Sequence, residues 1–242
     1  MTEALVVGAS SGLGAAIARA LLAKGYHVTA FSRTPPPPGT SHEHIECDVA
    51  STAAVHRALA QAPRVVDCLV YAAGEPVMGR TLAIPEDVAH SSLEVNFWGL
   101  DRVIRGVLPG MIERRRGTIL AVLSLAALRA IPYQSYYASA KAAQARLLQC
   151  LAHEVKSSGV QIKYIAPGYI DTGFLTRQPW YGMRAPEIRG SGLTPDDLAR
   201  RAIELIEGSD ASRVVGWREK AICLADRLIP GLYDRILESR ER

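Results

Sequence analysis

The sequence predicts an α/β fold: one doubly wound, Rossmann-like parallel sheet flanked by helices. Three observations carry this expectation. Short apolar runs of strand length alternate with helical patterns from Ala4 to Val215, the order of successive βαβ units. The apolar runs show almost no polar alternation, as strands buried on both faces require. A glycine-rich turn, Gly8-Ala9-Ser10-Ser11-Gly12-Leu13-Gly14, follows the first run and opens the first helical segment.

Taken in order, Ala4 to Val7 reads as a strand, and Leu13 to Lys24 as a helix that Gly25 ends. Tyr26 to Phe31 is a second strand, and Ile45 and Cys47 belong to a very short third. Thr52 to Gln61 is a helix capped by Ser51, and Val65 to Tyr71 a fourth strand, polar only at Asp67. Glu86 to Arg115 is a long helical region. The cluster Arg114, Arg115 and Arg116 before Gly117 reads as its last turn, where cations suit the helix dipole and glycine stops the helix. Thr118 to Ser124 is a strand, Ser135 to Ser157 a long helix and Val160 to Ile165 a strand. Pro195 to Glu207 is a helix capped by Thr194, and Val214-Val215 a last short strand. In such a sheet ligands bind beyond the carboxyl ends of the strands, so the chemistry is expected on residues just after them.

With 242 residues and 48% hydrophobic content, the chain can bury one sizeable core. The Pro35 to Pro38 run with Gly39 is too short to divide it, so one domain over 1–242 is expected. A net charge of +4, without a basic stripe, argues against nucleic acid as a partner. Cys47, Cys68, Cys150 and Cys223 have no metal or redox spacing and read as reduced, mostly buried thiols. His42, His44 and Cys47, with Glu43 and Glu46, lack a further ligand at a matching distance, so no metal is expected. Met1-Thr2-Glu3 does not start a signal segment, and Ile119 to Leu128 is about half the length of a membrane helix. A cytoplasmic protein without a membrane span is the expectation.

The turn Gly8 to Gly14 lets backbone approach a pyrophosphate at a helix N-terminus, where free N–H groups and the dipole favour an anion. The second strand ends in Phe31-Ser32-Arg33. A carboxylate there would bind ribose hydroxyls and repel a 2′-phosphate; a guanidinium binds one. NADP(H) is therefore favoured over NAD(H). Asp48, after the third strand, is placed to meet the adenine or to cap the turn near Ser51.

Tyr137 and Lys141 stand four residues apart on one predicted helix, hence on one face. An ammonium beside a phenol favours the phenolate and lowers its pKa, which suits a proton-transfer role. Ser124 ends the preceding strand, where its hydroxyl can reach a substrate carbonyl. Asn96 places an amide within an apolar helical stretch, Glu94-Val95-Asn96-Phe97-Trp98-Gly99, for a structural or water-binding role.

With these residues in order, the chain resembles the short-chain dehydrogenase/reductase family over nearly its whole length. The family's cofactor turn matches Gly8, Gly12 and Gly14, and its acid–aliphatic pair matches Asp48-Val49. Its Asn-Asn-Ala-Gly segment corresponds to Tyr71-Ala72-Ala73-Gly74, so Ala73 and Gly74 are retained and both asparagines are replaced. Its helix asparagine matches Asn96, its serine Ser124, and its Tyr-x-x-x-Lys pair Tyr137 and Lys141. Its Pro-Gly segment matches Pro167-Gly168, and the threonine that follows matches Thr172. Near Ser124 the family's second serine and glycine are replaced by Leu123 and Ala127.

The resemblance implies hydride transfer between a nicotinamide and a carbonyl or secondary alcohol. It implies that Tyr137 donates the proton, that Lys141 lowers the Tyr137 pKa and binds the ribose, and that Ser124 orients the carbonyl. Asn96 would hold a water linking Lys141 to solvent, and backbone near Ile170 and Thr172 would fix the nicotinamide. It also implies a homodimer or homotetramer built from the helices containing Asn96 and Tyr137.

The substrate loop, about 168–193, carries Phe174, Trp180, Tyr181 and Met183 and reads as a mobile lid. With Leu125, Leu128, Ile131, Pro132 and Tyr133 it favours a small, mostly apolar carbonyl or alcohol substrate. Arg177, Arg184 and Arg189 leave room for an acidic one. The tail, about 217–238, reads as two short amphipathic helices separated at Pro230-Gly231, packing on the body or a partner subunit; peripheral membrane contact is the minor alternative, because charges of both signs interrupt a membrane face. An epimerase or dehydratase would use the same dyad; a non-catalytic dinucleotide sensor would not need Ser124, Tyr137 and Lys141 together.

Overall fold

The computed structural model describes residues 2–37, 40–170, 178–185, 193–215, 217–229 and 231. The described residues form a seven-stranded parallel sheet in the order β3-β2-β1-β4-β6-β7-β9. Its strands are β1 (Thr2–Val7), β2 (Tyr26–Ser32), β3 (Glu43–Glu46), β4 (Cys68–Tyr71), β6 (Gly117–Val122), β7 (Val160–Pro167) and β9 (Ser212–Val215). The order reverses beside β1, which pairs with β2 on one side and β4 on the other. That switch point opens a crevice at the carboxyl ends of the strands.

The helices are α1 (Gly12–Ala23), α2 (Thr52–Gln61), α3 (Glu86–Leu93), α4 (Gly99–Glu113), α5 (Ser135–Glu154), α6 (Pro195–Glu207) and α7 (Trp217–Leu228). Alternate residues of each strand feed opposite cores. Leu5 and Val7 of β1 join Leu100, Val103 and Leu148 under α4 and α5, whereas Ala4 and Val6 join Ile17, Leu21, Leu198 and Ala202 under α1 and α6. Both faces of β1 are therefore apolar, which is why polar alternation is missing from its sequence.

Local signals place the helix ends. Gly25 takes a left-handed φ of 81° and its N–H reaches the Leu22 carbonyl, closing α1. Ser51 caps α2 by accepting from Ala54 N at 3.2 Å. Thr194 caps α6 within a full capping box: its Oγ1 accepts from Asp197 N, and Asp197 Oδ2 accepts from Thr194 N.

Three expectations change in detail. The helical region from Glu86 is interrupted by a five-residue π-turn, Glu94–Trp98, between α3 and α4. Gly117 does not stop α4; it opens β6, and Arg115 takes the left-handed conformation at φ 53° instead. The arginine cluster there is used for ties, with Arg114 donating to the Val66 carbonyl at 3.0 Å and Arg116 pairing with buried Asp67 at 2.8 Å. Of the cysteines only Cys47 and Cys68 are buried; Cys150 is exposed and Cys223 half-buried.

A second, two-stranded parallel sheet pairs β5 (Met78–Gly79) with β8 (Trp180–Tyr181). No sequence expectation covered it, because each strand is two residues long and its partner lies far away in the chain. Helix α7 is the first of the two tail helices; the second falls outside the described residues. Among the described residues no helix is long and apolar enough to cross a membrane, and no cluster of three or more His, Cys, Asp or Glu could hold a metal.

Candidate active site

The glycine-rich turn joins β1 to α1 against the segment after β4. Gly8 has a φ of 89° and donates to the Phe31 carbonyl at 2.7 Å; a Cβ there would lie 2.6 Å from Ala73 N. A Cβ on Gly14 would run into the Gly8 carbonyl. The side chain of Ser11, at the cap position of α1, makes no capping bond, and no acid stands in the first turn. The free N–H groups and dipole of a 12-residue helix therefore point, unneutralised, at the crevice. A pyrophosphate fits this arrangement.

The crevice is a cavity of about 750 Å³ that crosses the sheet end from β3 to β7. Gly8, Ser10, Ser11, Gly12, Leu13 and Gly14 line its middle. Ser32 and Arg33 after β2, with Asp48 and Val49 after β3, line one end. Asp48 Oδ1 accepts from Ala50 N at 3.0 Å, so it also shapes the turn into α2. Ala73, Gly74, Ser124, Tyr137, Lys141, Pro167, Gly168 and Ile170 line the other end. Thr172 lies outside the described residues.

At that end Ser124 Oγ accepts from Ala126 N at 3.2 Å, capping a 3-10 turn at Leu125–Ala127. The Ser124 and Tyr137 side chains are hydrogen-bonded. Lys141 Nζ donates to the Val122 carbonyl at 3.0 Å and sits 5.8 Å from the centre of the Tyr137 ring. Burial pushes Tyr137 up to about 12, against a smaller lowering by the Ser124 bond. Burial also pulls Lys141 down to about 7. Both groups are buried, and desolvation, which disfavours the phenolate and the ammonium alike, is the largest influence on each.

Asn96 does not line the cavity. It is fully buried behind it, where its Nδ2 donates to the Glu75 and Ser92 carbonyls, both at 2.8 Å. The π-turn around it is held from two other elements. The Tyr71 hydroxyl donates to the Val95 carbonyl and the Gln144 side chain to the Asn96 carbonyl. Tyr71 thus supplies a polar tie at the position where the sequence departs from the Asn-Asn pattern. Neither it nor Gln144 was singled out as a functional residue, because both act through contacts distant in sequence.

Met78, Ala126, Ile131 and Trp180 pack around Tyr137 and make the substrate end apolar. Within residues 178–185, the described centre of the expected lid, Trp180–Tyr181 pairs with Met78–Gly79 and the Tyr181 carbonyl accepts from Arg80 N at 2.9 Å. Gly79, at φ 135°, is so close to Tyr181 that a Cβ would lie 2.5 Å from its backbone nitrogen. Gly79→Ala is expected to break this ladder and raise the substrate KM roughly tenfold, a loss of about 1.4 kcal/mol. Isothermal titration with NADPH should show an unchanged dinucleotide Kd.

A doubly wound sheet with this turn, and a Ser–Tyr–Lys set at the far end of one cavity, defines a nicotinamide-dinucleotide oxidoreductase. Residues 2–179 match the family model described as short chain dehydrogenase, and the chain belongs to that family. It is 30% identical to dehydrogenase/reductase SDR family member 7B of Rattus norvegicus, over 98% of this chain and 81% of that one. It is 29% identical to a 3-ketodihydrosphingosine reductase of Bacteroides thetaiotaomicron, over 84% of this chain and 75% of that one. A short chain dehydrogenase from Burkholderia cenocepacia, solved in complex with NADP, superposes with a TM-score of 0.82 at 25% identity, covering 99% of this chain and 96% of that one.

Proposed function

We propose that the protein is an NADP(H)-dependent carbonyl reductase or alcohol dehydrogenase acting on a small, mostly apolar substrate. The observation that carries the reading is the hydrogen-bonded Ser124–Tyr137 pair beside Lys141, at the apolar end of a cavity whose other end suits a dinucleotide. The bound nicotinamide would supply the hydride.

The residues do the rest. The glycine turn and the start of α1 hold the pyrophosphate. Ser124 hydrogen-bonds the substrate carbonyl and polarises it. Tyr137, protonated at physiological pH as any phenol is, donates its Oη proton to the carbonyl oxygen as hydride adds to the carbon. Lys141, whose pKa burial lowers, would hold the ribose and help return a proton to the phenol. Met78, Ile131 and Trp180 exclude water from the reacting carbon. An apolar ketone is favoured by these walls, and the likeness to a protein named 3-ketodihydrosphingosine reductase supports a ketone as substrate.

Preference for NADP(H) rests on Ser32, Arg33 and Thr34 lining the cavity after β2, where no carboxylate stands. The NADP complex of the Burkholderia relative supports it. Arg33→Ala is expected to weaken NADPH binding by about 1.5–3 kcal/mol, the worth of a hydrogen bond to a charged group, and to leave NADH binding unchanged. Fluorescence titration with both dinucleotides reads the difference. The proposed assembly is a homodimer or homotetramer, supported by Trp98 of the π-turn, 44% exposed, and by exposed Ile112 on α4. The test of the function is NADPH and NADH oxidation against a panel of apolar ketones, aldehydes and diketones, with Tyr137→Phe as control. No turnover by the wild type, or equal turnover by the variant, overturns it.

A further inference from the structure

Gln144 stands three residues beyond Lys141 on α5, so the two share a helix face. It is fully buried, and its Nε2 donates to the main-chain carbonyl of Asn96 in the π-turn. Its own Oε1 is buried with no partner among the described residues. An unsatisfied buried amide oxygen is costly, and leucine would fill a similar volume without that cost. Packing alone therefore does not account for glutamine here; the donor to Asn96 does.

Asn96 passes the tie onward. Its Nδ2 donates to the Glu75 carbonyl at 2.8 Å, directly after the Ala73-Gly74 segment that lines the cavity. The chain of contacts runs from the helix that carries Tyr137 and Lys141, through Gln144 and Asn96, to the opposite cavity wall. We propose that Gln144 is a positioning residue for hydride transfer, fixing the distance between the helix bearing Tyr137 and Lys141 and the wall formed by residues 73–75. The proposal rests on the reductase reading. Reacting groups displaced by a fraction of an ångström lose rate without losing ligand affinity.

Steady-state kinetics of Gln144→Leu and Gln144→Glu test it, with active sites counted by NADPH titration. Gln144→Leu should lower kcat per NADPH site about tenfold while the substrate KM and NADPH Kd stay within about twofold. Gln144→Glu carries a donor only when its carboxyl is protonated. Its kcat relative to wild type should therefore rise as pH falls, whereas the ratio for Gln144→Leu stays flat. A purely structural role would reduce the number of NADPH sites and the melting temperature but leave kcat per site and its pH profile unchanged, and that result overturns the proposal. If Gln144→Leu does not fold, the pH profile of Gln144→Glu decides alone. Absence of NADPH oxidation by the wild type, or full activity of Tyr137→Phe, removes the reductase reading and this proposal with it. Loss in Tyr137→Phe with wild-type kinetics in both Gln144 variants removes this proposal only.

Discussion

Tyr137→Phe is expected to lower kcat by about 10²–10⁴-fold, the range associated with a positioned general acid, with NADPH affinity and folding retained. The phenyl ring keeps the packing against Met78, Ala126 and Trp180 and loses only the hydroxyl hydrogen-bonded to Ser124. Stopped-flow NADPH oxidation checks the rate, and circular dichroism checks the fold. Lys141→Met is the companion variant and separates activity from stability. Burial lowers Lys141 from 10.5 to about 7 in the fold, so the unfolded chain holds this proton more tightly. Its contribution to stability is greatest above about 10.5 and declines as pH falls towards about 7, below which the penalty is complete. The ligand-free Lys141→Met protein is therefore expected to be inactive yet more stable at pH 7 by about 1–3 kcal/mol. That advantage shrinks as pH is raised from 7 towards 10.5, which urea unfolding across the window measures.

Gly8→Ala has the second large expected effect. At a φ of 89° any side chain is strained, and its Cβ would meet the Ala73 backbone nitrogen at 2.6 Å. Neither the turn nor the segment after β4 can yield without deforming the pyrophosphate site. The variant is expected to lose about 3 kcal/mol of stability and to bind NADPH at least about 100-fold more weakly. Gly25→Ala provides the contrast. Its φ of 81° is equally left-handed, but nothing lies within 4 Å of the added Cβ. It should cost only about 1–2 kcal/mol of conformational strain and leave NADPH binding intact. Thermal melts with and without NADPH distinguish the two.

Much of the candidate site was legible because its residues follow short-range rules. The glycine turn, Ser32-Arg33 and Ala73-Gly74 sit at or just after the ends of strands whose apolar runs are plain in the sequence, and Tyr137 and Lys141 share a face through one helical turn. Helix α6 was readable to the residue, since its cap Thr194, Pro195 at the first position and Asp197 lie within four consecutive residues. The misplaced end of α4 shows the limit. Gly117 looked like a stop signal, but α4 ends at Glu113, Arg115 takes the left-handed turn, and Gly117 already belongs to β6.

The sequence by itself determined the doubly wound sheet, the glycine turn at the start of α1 and the grouping of Ser124, Tyr137 and Lys141. Periodicity, glycine chemistry and residue type act over a few residues and do not wait for the fold. Only the tertiary structure decided that a π-turn interrupts the helix at Asn96, and that Tyr71 and Gln144 reach it from 24 and 48 residues away. It alone pinned Trp180 beside Tyr137 through the β5–β8 ladder. It also decided that burial, rather than the neighbouring ammonium, dominates the Tyr137 pKa. Each of these depends on how closely distant segments pack and how fully water is excluded between them, and desolvation is a property of that packing rather than of any residue in it.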